Sequence, residues 1–182
     1  GFRTAGGHIH LGNSDLFQDS KGILNTVRML DLFVAIPSVL LDQDITQKYR
    51  RKIYGHAGSH RIPDHGLEYR CLGNFWLKSP RLVELIYDLT AYTINFVEKQ
   101  KNKLFWITDE EFDENVDQTT FCFGYDANLL QTCINTCDRR KAEKFMHIVN
   151  CHLPKDLAYK IEDFSETNFD FYHEWGIDCL DS

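Results

Sequence analysis

His8-Ile9-His10 sets two imidazoles two residues apart in a chain segment of alternating character. In an extended strand side chains alternate with a period of two, so His8 and His10 share one face while Ile9 and Leu11 take the other. Two imidazoles side by side are able to ligate a divalent ion or to contact phosphate. Gly6, Gly7 and Gly12 flank them, and glycine lets a ligand approach the backbone closely. A pair of hydrogen-bonded or exposed histidines is the plainer alternative.

A second group of candidates follows downstream. Arg50, Arg51, Arg61 and Arg70 bring four guanidinium groups into 21 residues, interleaved with Tyr54-Gly55 and Ala57-Gly58. Arginine is suited to bidentate recognition of phosphate and carboxylate, and surface pairing with nearby acids is its structural alternative. In Leu67-Glu68-Tyr69-Arg70-Cys71-Leu72 the same alternation puts Glu68 and Arg70 on one strand face. A carboxylate and an imidazole converging from neighbouring strands would hold a hard metal ion, with arginines neutralising a polyphosphate beside it. A buried Glu–Arg ion pair would account for Glu68 and Arg70 equally well.

Taken together, Gly6-Gly7-His8-Ile9-His10, Tyr54-Gly55-His56-Ala57-Gly58, Arg61 to Arg70 and Asn74-Phe75-Trp76-Leu77 resemble the carboxylate–amine ligase superfamily. That group shares the catalytic fold of glutamine synthetase and glutamate–cysteine ligase, and the nearest likeness is to phage-type amidoligases, the COOH–NH2 ligase type 2 proteins. The likeness runs over residues 3 to 90. It implies an α+β fold in which an antiparallel sheet forms a concave, metal-lined site. It further implies His8 and Glu68 as metal ligands, His10 and Arg51 at the nucleotide phosphates, and Arg61 and Arg70 as the catalytic arginines. Arg70 would bind the substrate carboxylate or its phosphorylated form, and Arg61 would stabilise the transferring phosphoryl group. The implied reaction uses ATP and Mg2+ to make an acyl phosphate, which an amine then displaces to give an amide. Members of the family carry further metal-binding acids upstream of the His-x-His strand. Residue 1 is Gly rather than Met, and the expectation is a partial chain whose upstream N-terminal portion belongs to the same polypeptide.

The elements that must position these residues are legible in outline. Leu24, Val27, Leu30 and Val34 recur at helical spacing, with Asp19 or Ser20 as N-cap and a bend at Pro37 before a stretch running to Leu41. Asp44 to Lys52 is polar and basic, and leads into the two-glycine loop. Ser79-Pro80 starts a helix that the stripe Val83, Ile86, Leu89, Phe96 and Val97 carries to Lys99. Asp109 to Asp117 holds six acids in nine residues, the pattern of a solvated loop. Helical spacing returns over Ala127 to Cys137 and Arg139 to Val149, and the aromatic tail Asp163 to Trp175 reads as an irregular cover. The expected organisation is residues 1–100 as the C-terminal part of an amidoligase-like catalytic domain and 104–182 as a helical extension.

Composition narrows the alternatives. The chain of 182 residues has 27 acids against 20 bases, net charge −7, which disfavours sequence-blind nucleic-acid binding. No continuous apolar run reaches the ~20 residues of a bilayer span, so no membrane partner is expected. Six cysteines without a secretory segment read as free thiols of a reducing cytoplasm; the resemblance implies that of a bacterial or phage-infected cell. Cys133, Cys137, Cys151 and His152 lack a tight Cys-x-x-Cys knuckle, so buried thiols are favoured over zinc. Two other functions stay open: a structural protein, for instance of a phage particle, that keeps the sheet without the activity, and a zinc hydrolase built on His8, His10 and Glu68. The identity of the carboxylate and amine, and a homo-oligomeric state, are open as well.

Overall fold

A computed structural model describes residues 6–12, 15–100, 104–105, 121–122 and 126–177 of the chain. The acidic run expected as a loop at Asp109 to Asp117 lies outside these residues. The fold is α+β: a small antiparallel sheet laid against a core of helices. Strands β1 (Ile9–Leu11), β2 (His60–Arg61) and β3 (Leu67–Tyr69) pair in the order β1-β3-β2. A separate parallel pair joins β4 (Leu104–Phe105) and β5 (Phe121–Cys122).

The central element is a composite helix. Asp19 caps α1 (Ser20–Leu30), its Oδ1 accepting the Gly22 N–H at 2.7 Å. The helix then widens into a π turn over Asp31–Ala35 and continues as α2 (Ile36–Leu41). Pro37 explains the widening, because proline cannot donate to the preceding turn and its ring crowds the carbonyl there. The Ile36 N–H reaches back to Asp31 O instead, and the chain passes the proline without breaking. Every residue from Met29 to Leu41 is buried. Counted through the π turn, Ser20–Leu41 spans 22 residues and is long and apolar enough to cross a bilayer, contrary to the sequence expectation. It is nevertheless interior to the protein, with 83% of its apolar window buried, and apolarity on all sides is what a core helix requires.

Two segments differ from expectation. The polar stretch leading into the loop, to which the sequence reading assigned no element, contains helix α3 (Gln47–Ile53), which turns Gln47, Arg50 and Arg51 inward. The tail is more helical than expected: α7 (Lys155–Glu166) and α8 (Phe171–Glu174) cover most of it. Helix α4 (Pro80–Gln100) begins at the expected Ser-Pro step. Helices α5 (Ala127–Thr136) and α6 (Arg139–His152) follow their predicted spans, and Cys137 ends α5 in a left-handed conformation. One hydrophobic core takes residues from both halves, from Leu16 to Phe164. Glu174 pins the tail to α4 through Arg81 at 2.6 Å, and the Trp175 indole N–H donates to Leu77 O at 2.9 Å.

Beneath the sheet the buried Asp31 accepts the Tyr69 phenol proton at 2.6 Å. Burial raises its pKa from 3.8 to about 6, against the lowering pull of the Tyr69 and Gly58 hydrogen bonds and the Arg51 charge. Folding therefore favours the protonated form, and stability falls as pH rises from about 4 to about 6 and is flat above. The shift corresponds to roughly 3 kcal/mol. Asp31→Asn keeps an acceptor for Tyr69 and has no charge to desolvate. Urea denaturation should show variant and parent close together at pH 4, with the variant gaining on the parent up to about pH 6 and holding that lead at pH 7. A difference that does not change with pH would show that Asp31 does not titrate in this window.

Candidate active site

Register across the sheet assembles the site. His10 lies opposite Glu68 on β3, and Arg61 lies opposite Glu68 on the other side. These three residues form one row, and alternation places His8 and Arg70 on the same face in the next row. Leu67, Tyr69 and Cys71 face the helices. Glu68 and Arg70 share one strand face and His8 and His10 another, as expected, and the register joins the two into a single face.

Glu68 is the centre of the cluster, with its side chain only 1% exposed. Its Oε1 lies 2.8 Å from His8 Nδ1 and 3.6 Å from Arg70 Nε, and its Oε2 accepts from Arg61 Nε at 2.6 Å. Burial pushes the Glu68 pKa up, but the Arg61 hydrogen bond and charge, then Arg70 and His8, outweigh it and hold the carboxyl below its ordinary 4.5. The group is thus ionised at neutral pH. Counting Glu68 against Arg61 and Arg70, the patch is net positive on a chain of net charge −7. Such a patch suits an anion.

Tyr54 stands in the two-glycine motif read from the sequence, which assigned it no role. Its hydroxyl accepts from Arg70 Nε at 3.2 Å and Nη2 at 2.8 Å, and it is hydrogen-bonded to His8 Nε2. The Arg70 guanidinium also lies over the Tyr54 ring, 5.0 Å from its centroid. Donor counting fixes the protons. Arginine only donates, so the single phenol proton goes to His8 Nε2, and His8 carries its own proton on Nδ1 toward Glu68. Arg70, Tyr54, His8 and Glu68 form one directed chain of hydrogen bonds.

The backbone explains how Tyr54 arrives there. Arg50, 4% exposed, donates to Gln47 Oε1, Tyr54 O and Cys71 O, and so ties the end of α3 to the strand. Gly55 follows with φ of +75°, and a Cβ on it would lie 2.2 Å from Arg50 Nη1 and 3.0 Å from Arg70 O. Only glycine fits both the dihedral and the space. The two-glycine loop was a visible signal, but nothing in it said which side chain faced the site.

Arg51 is placed apart from the cluster. It is 3% exposed on the helical side of the sheet, with Nη1 donating to Cys71 Sγ at 2.9 Å and Nη2 to Ser38 Oγ at 3.2 Å. The structure brings together the other five candidates, His8, His10, Arg61, Glu68 and Arg70, and leaves Arg51 in the core. Cys71, Cys133, Cys137 and Cys151 are free thiols.

Among the described residues His8, His10 and Glu68 form the group that could hold a metal ion, each offering a ligand atom within 4.8 Å of the others. Two imidazoles and an ionised carboxylate fit a divalent cation. Imidazole favours Mn2+, Co2+ or Zn2+ over Mg2+, which prefers oxygen and keeps its waters. Beside the histidines a cavity of about 500 Å³ opens against α4, lined by His8, His10, Trp76, Ile86, Tyr87 and Ile94 among others, none of the lining residues carrying a fixed charge.

Compared with known proteins, the chain matches the family described as phage phiEco32-like COOH.NH2 ligase-type 2 over residues 1–176. The match extends past residue 90, where the likeness seen in the sequence stopped, through the C-terminal helices. No curated protein and no solved structure matches the chain.

Proposed function

Because this chain belongs to the phage phiEco32-like COOH.NH2 ligase-type 2 family, we propose that it joins a carboxylate to an amine at the expense of ATP, through an acyl phosphate. The observation that carries this reading is the buried, ionised Glu68 held among His8, His10, Arg61 and Arg70 on one sheet face. A carboxylate is a poor electrophile, and phosphorylation turns its oxygen into a leaving group. The amine nitrogen then attacks the acyl carbon, the C–O bond to phosphate breaks, and the amine gives up a proton. Phosphoryl transfer of this kind runs mainly on positioning and charge neutralisation. No protein nucleophile takes part.

The residues divide the work as follows in this reading. Arg70, braced by Tyr54, presents a fixed guanidinium to the substrate carboxylate and to its phosphorylated form. Arg61 is 61% exposed and swings from Glu68 onto the transferring phosphoryl group. His10 stands at the exposed rim, toward the nucleotide phosphates. His8, His10 and Glu68 would hold a divalent ion, Mg2+ or Mn2+, once the Tyr54 hydroxyl turns its proton away from His8 Nε2 and frees that lone pair; the ion would supply charge neutralisation to the phosphates. Three protein donors leave an octahedral ion open positions for phosphate oxygens and water. The uncharged groove along α4 takes an apolar part of a substrate. The setting is cytoplasmic, and the sheet corresponds to part of a glutamine-synthetase-like catalytic fold.

The test is trapping of the acyl phosphate. The protein is incubated with ATP, Mg2+ or Mn2+, a panel of amino acids as carboxylates, and hydroxylamine as the amine. The expected result is hydroxamate formation and phosphate release that require each of ATP, metal and carboxylate. Tight zinc binding with peptide or ester hydrolysis, and no effect of ATP, would overturn the ligase reading in favour of a hydrolase. Neither activity in a folded protein would favour a structural role.

A further inference from the structure

His65 has no part in the assignments above, yet it lies against one of the candidate ligands. Its Nε2 is 3.3 Å from His10 Nδ1, and the two rings stack with centroids 5.5 Å apart and planes 24° from parallel. The residues are 55 apart in sequence, and the local fold is built to bring them together. Pro63 to Gly66 forms a turn closed by the Gly66 N–H on Pro63 O at 3.0 Å. Gly66 has φ of +139°, and a Cβ there would fall 2.1 Å from Leu11 O. A side chain at position 66 would push the turn off β1 and carry His65 away from His10.

From this geometry we infer that His65 is a positioning residue for metal binding: it selects Nε2 of His10 as the ligand atom and holds the ring in place. The inference rests on the metal reading of the His8–His10–Glu68 cluster. A neutral imidazole carries one proton, so only one nitrogen offers a lone pair to an ion. With His65 Nε2 accepting, the His10 proton sits on Nδ1 and the lone pair is on Nε2. Metal-bound histidines are commonly fixed in this way by a partner on the other nitrogen, and loss of such a partner costs 10–100-fold in metal affinity or activity. His10 is exposed, so without His65 its ring would sample several rotamers and both tautomers. Ordering it would then oppose binding.

The experiment is a Co2+ titration of the 182-residue chain, read by the visible absorption of the bound ion, on the parent and three variants. His65→Ala should weaken Co2+ binding by about 10–100-fold. His65→Gln keeps an acceptor for the His10 Nδ1 proton and should recover most of that loss. His56→Ala removes an exposed histidine outside the cluster and should bind as the parent does. Imidazole 15N spectra should show His10 protonated on Nδ1 in the parent and as a mixture of tautomers in His65→Ala. The inference is overturned if His65→Ala binds within about twofold of the parent, or if His65→Gln binds no better than His65→Ala. A parent that takes up no Co2+ removes the metal reading and this inference together. Co2+ binding lost on His65→Ala, with no hydroxamate formed by the parent, leaves the inference standing and removes the ligase reading alone.

Discussion

Glu68→Gln is expected to abolish metal-dependent nucleotide binding and turnover while the protein stays folded. Glutamine keeps the volume of the side chain and one acceptor oxygen. It loses the charge that attracts a divalent ion, and its amide NH2 faces His8, Arg61 or Arg70, all of them donors in this arrangement. Loss of a metal's outer-shell partner already costs 10–100-fold, so loss of the carboxylate ligand itself should cost more than about 100-fold in metal affinity. Calorimetric titration of Mg-ATP and of Mn2+ into parent and variant reads this directly. The variant should also differ in its response to acid. Because the Glu68 pKa is held below 4.5 by Arg61, Arg70 and His8, its contribution to stability is present above that pH and is lost as pH falls through the lower folded value. The glutamine variant lacks that component of acid unfolding. Nucleotide binding and turnover unaltered by the substitution would show that Glu68 is not a metal ligand.

The second large effect is on the core. Phe33→Ala should destabilise the protein by about 3–5 kcal/mol, the usual cost of removing a buried phenylalanine. Phe33 is fully buried and sits in the π turn. Its ring meets Tyr92 and Phe96 of α4 at 5.5 Å and His152 of α6 at 6.2 Å, each edge-on. Such contacts add to simple burial, because ring edges and faces carry opposite partial charge. The aromatic cluster joins the composite helix to α4 and to the C-terminal half, so its loss should weaken both halves at once. For a chain of this size the expected fall in Tm is about 10 °C. The transition should stay single, followed alike by far-UV and near-UV circular dichroism. Separate transitions in the parent would mean that the halves do not share one cooperative core. A change of less than ~1 kcal/mol would mean that the cluster closes over the gap.

The sequence by itself determined the local terms of this protein. Alternation in His8-Ile9-His10 and in Leu67 to Leu72 set which side chains share a face, because strand periodicity depends on the backbone alone. Asp19 and Ser79-Pro80 marked helix starts, since caps and proline act within one turn. The order of four short motifs was enough to indicate the ligase family, which the match over residues 1–176 establishes. Other features came from tertiary structure. Arg50, Arg51 and Arg61 are alike in composition terms, yet the first braces the loop, the second lies buried beside Cys71 and the third covers Glu68. Their fates depend on which face of α3 meets the core and on the pairing of β2 with β3, neither of which has a local signature. Tyr54 stood in a two-glycine motif and His65 among three histidines of the loop before β3, with no local signal for which of them would reach the site. They reach His8 and His10 across 46 and 55 residues because Gly55 and Gly66 let the backbone pass where a Cβ would collide. Side-chain period is a property of one strand, whereas convergence on a single carboxylate depends on register between strands and on close backbone approach, which only the folded chain defines.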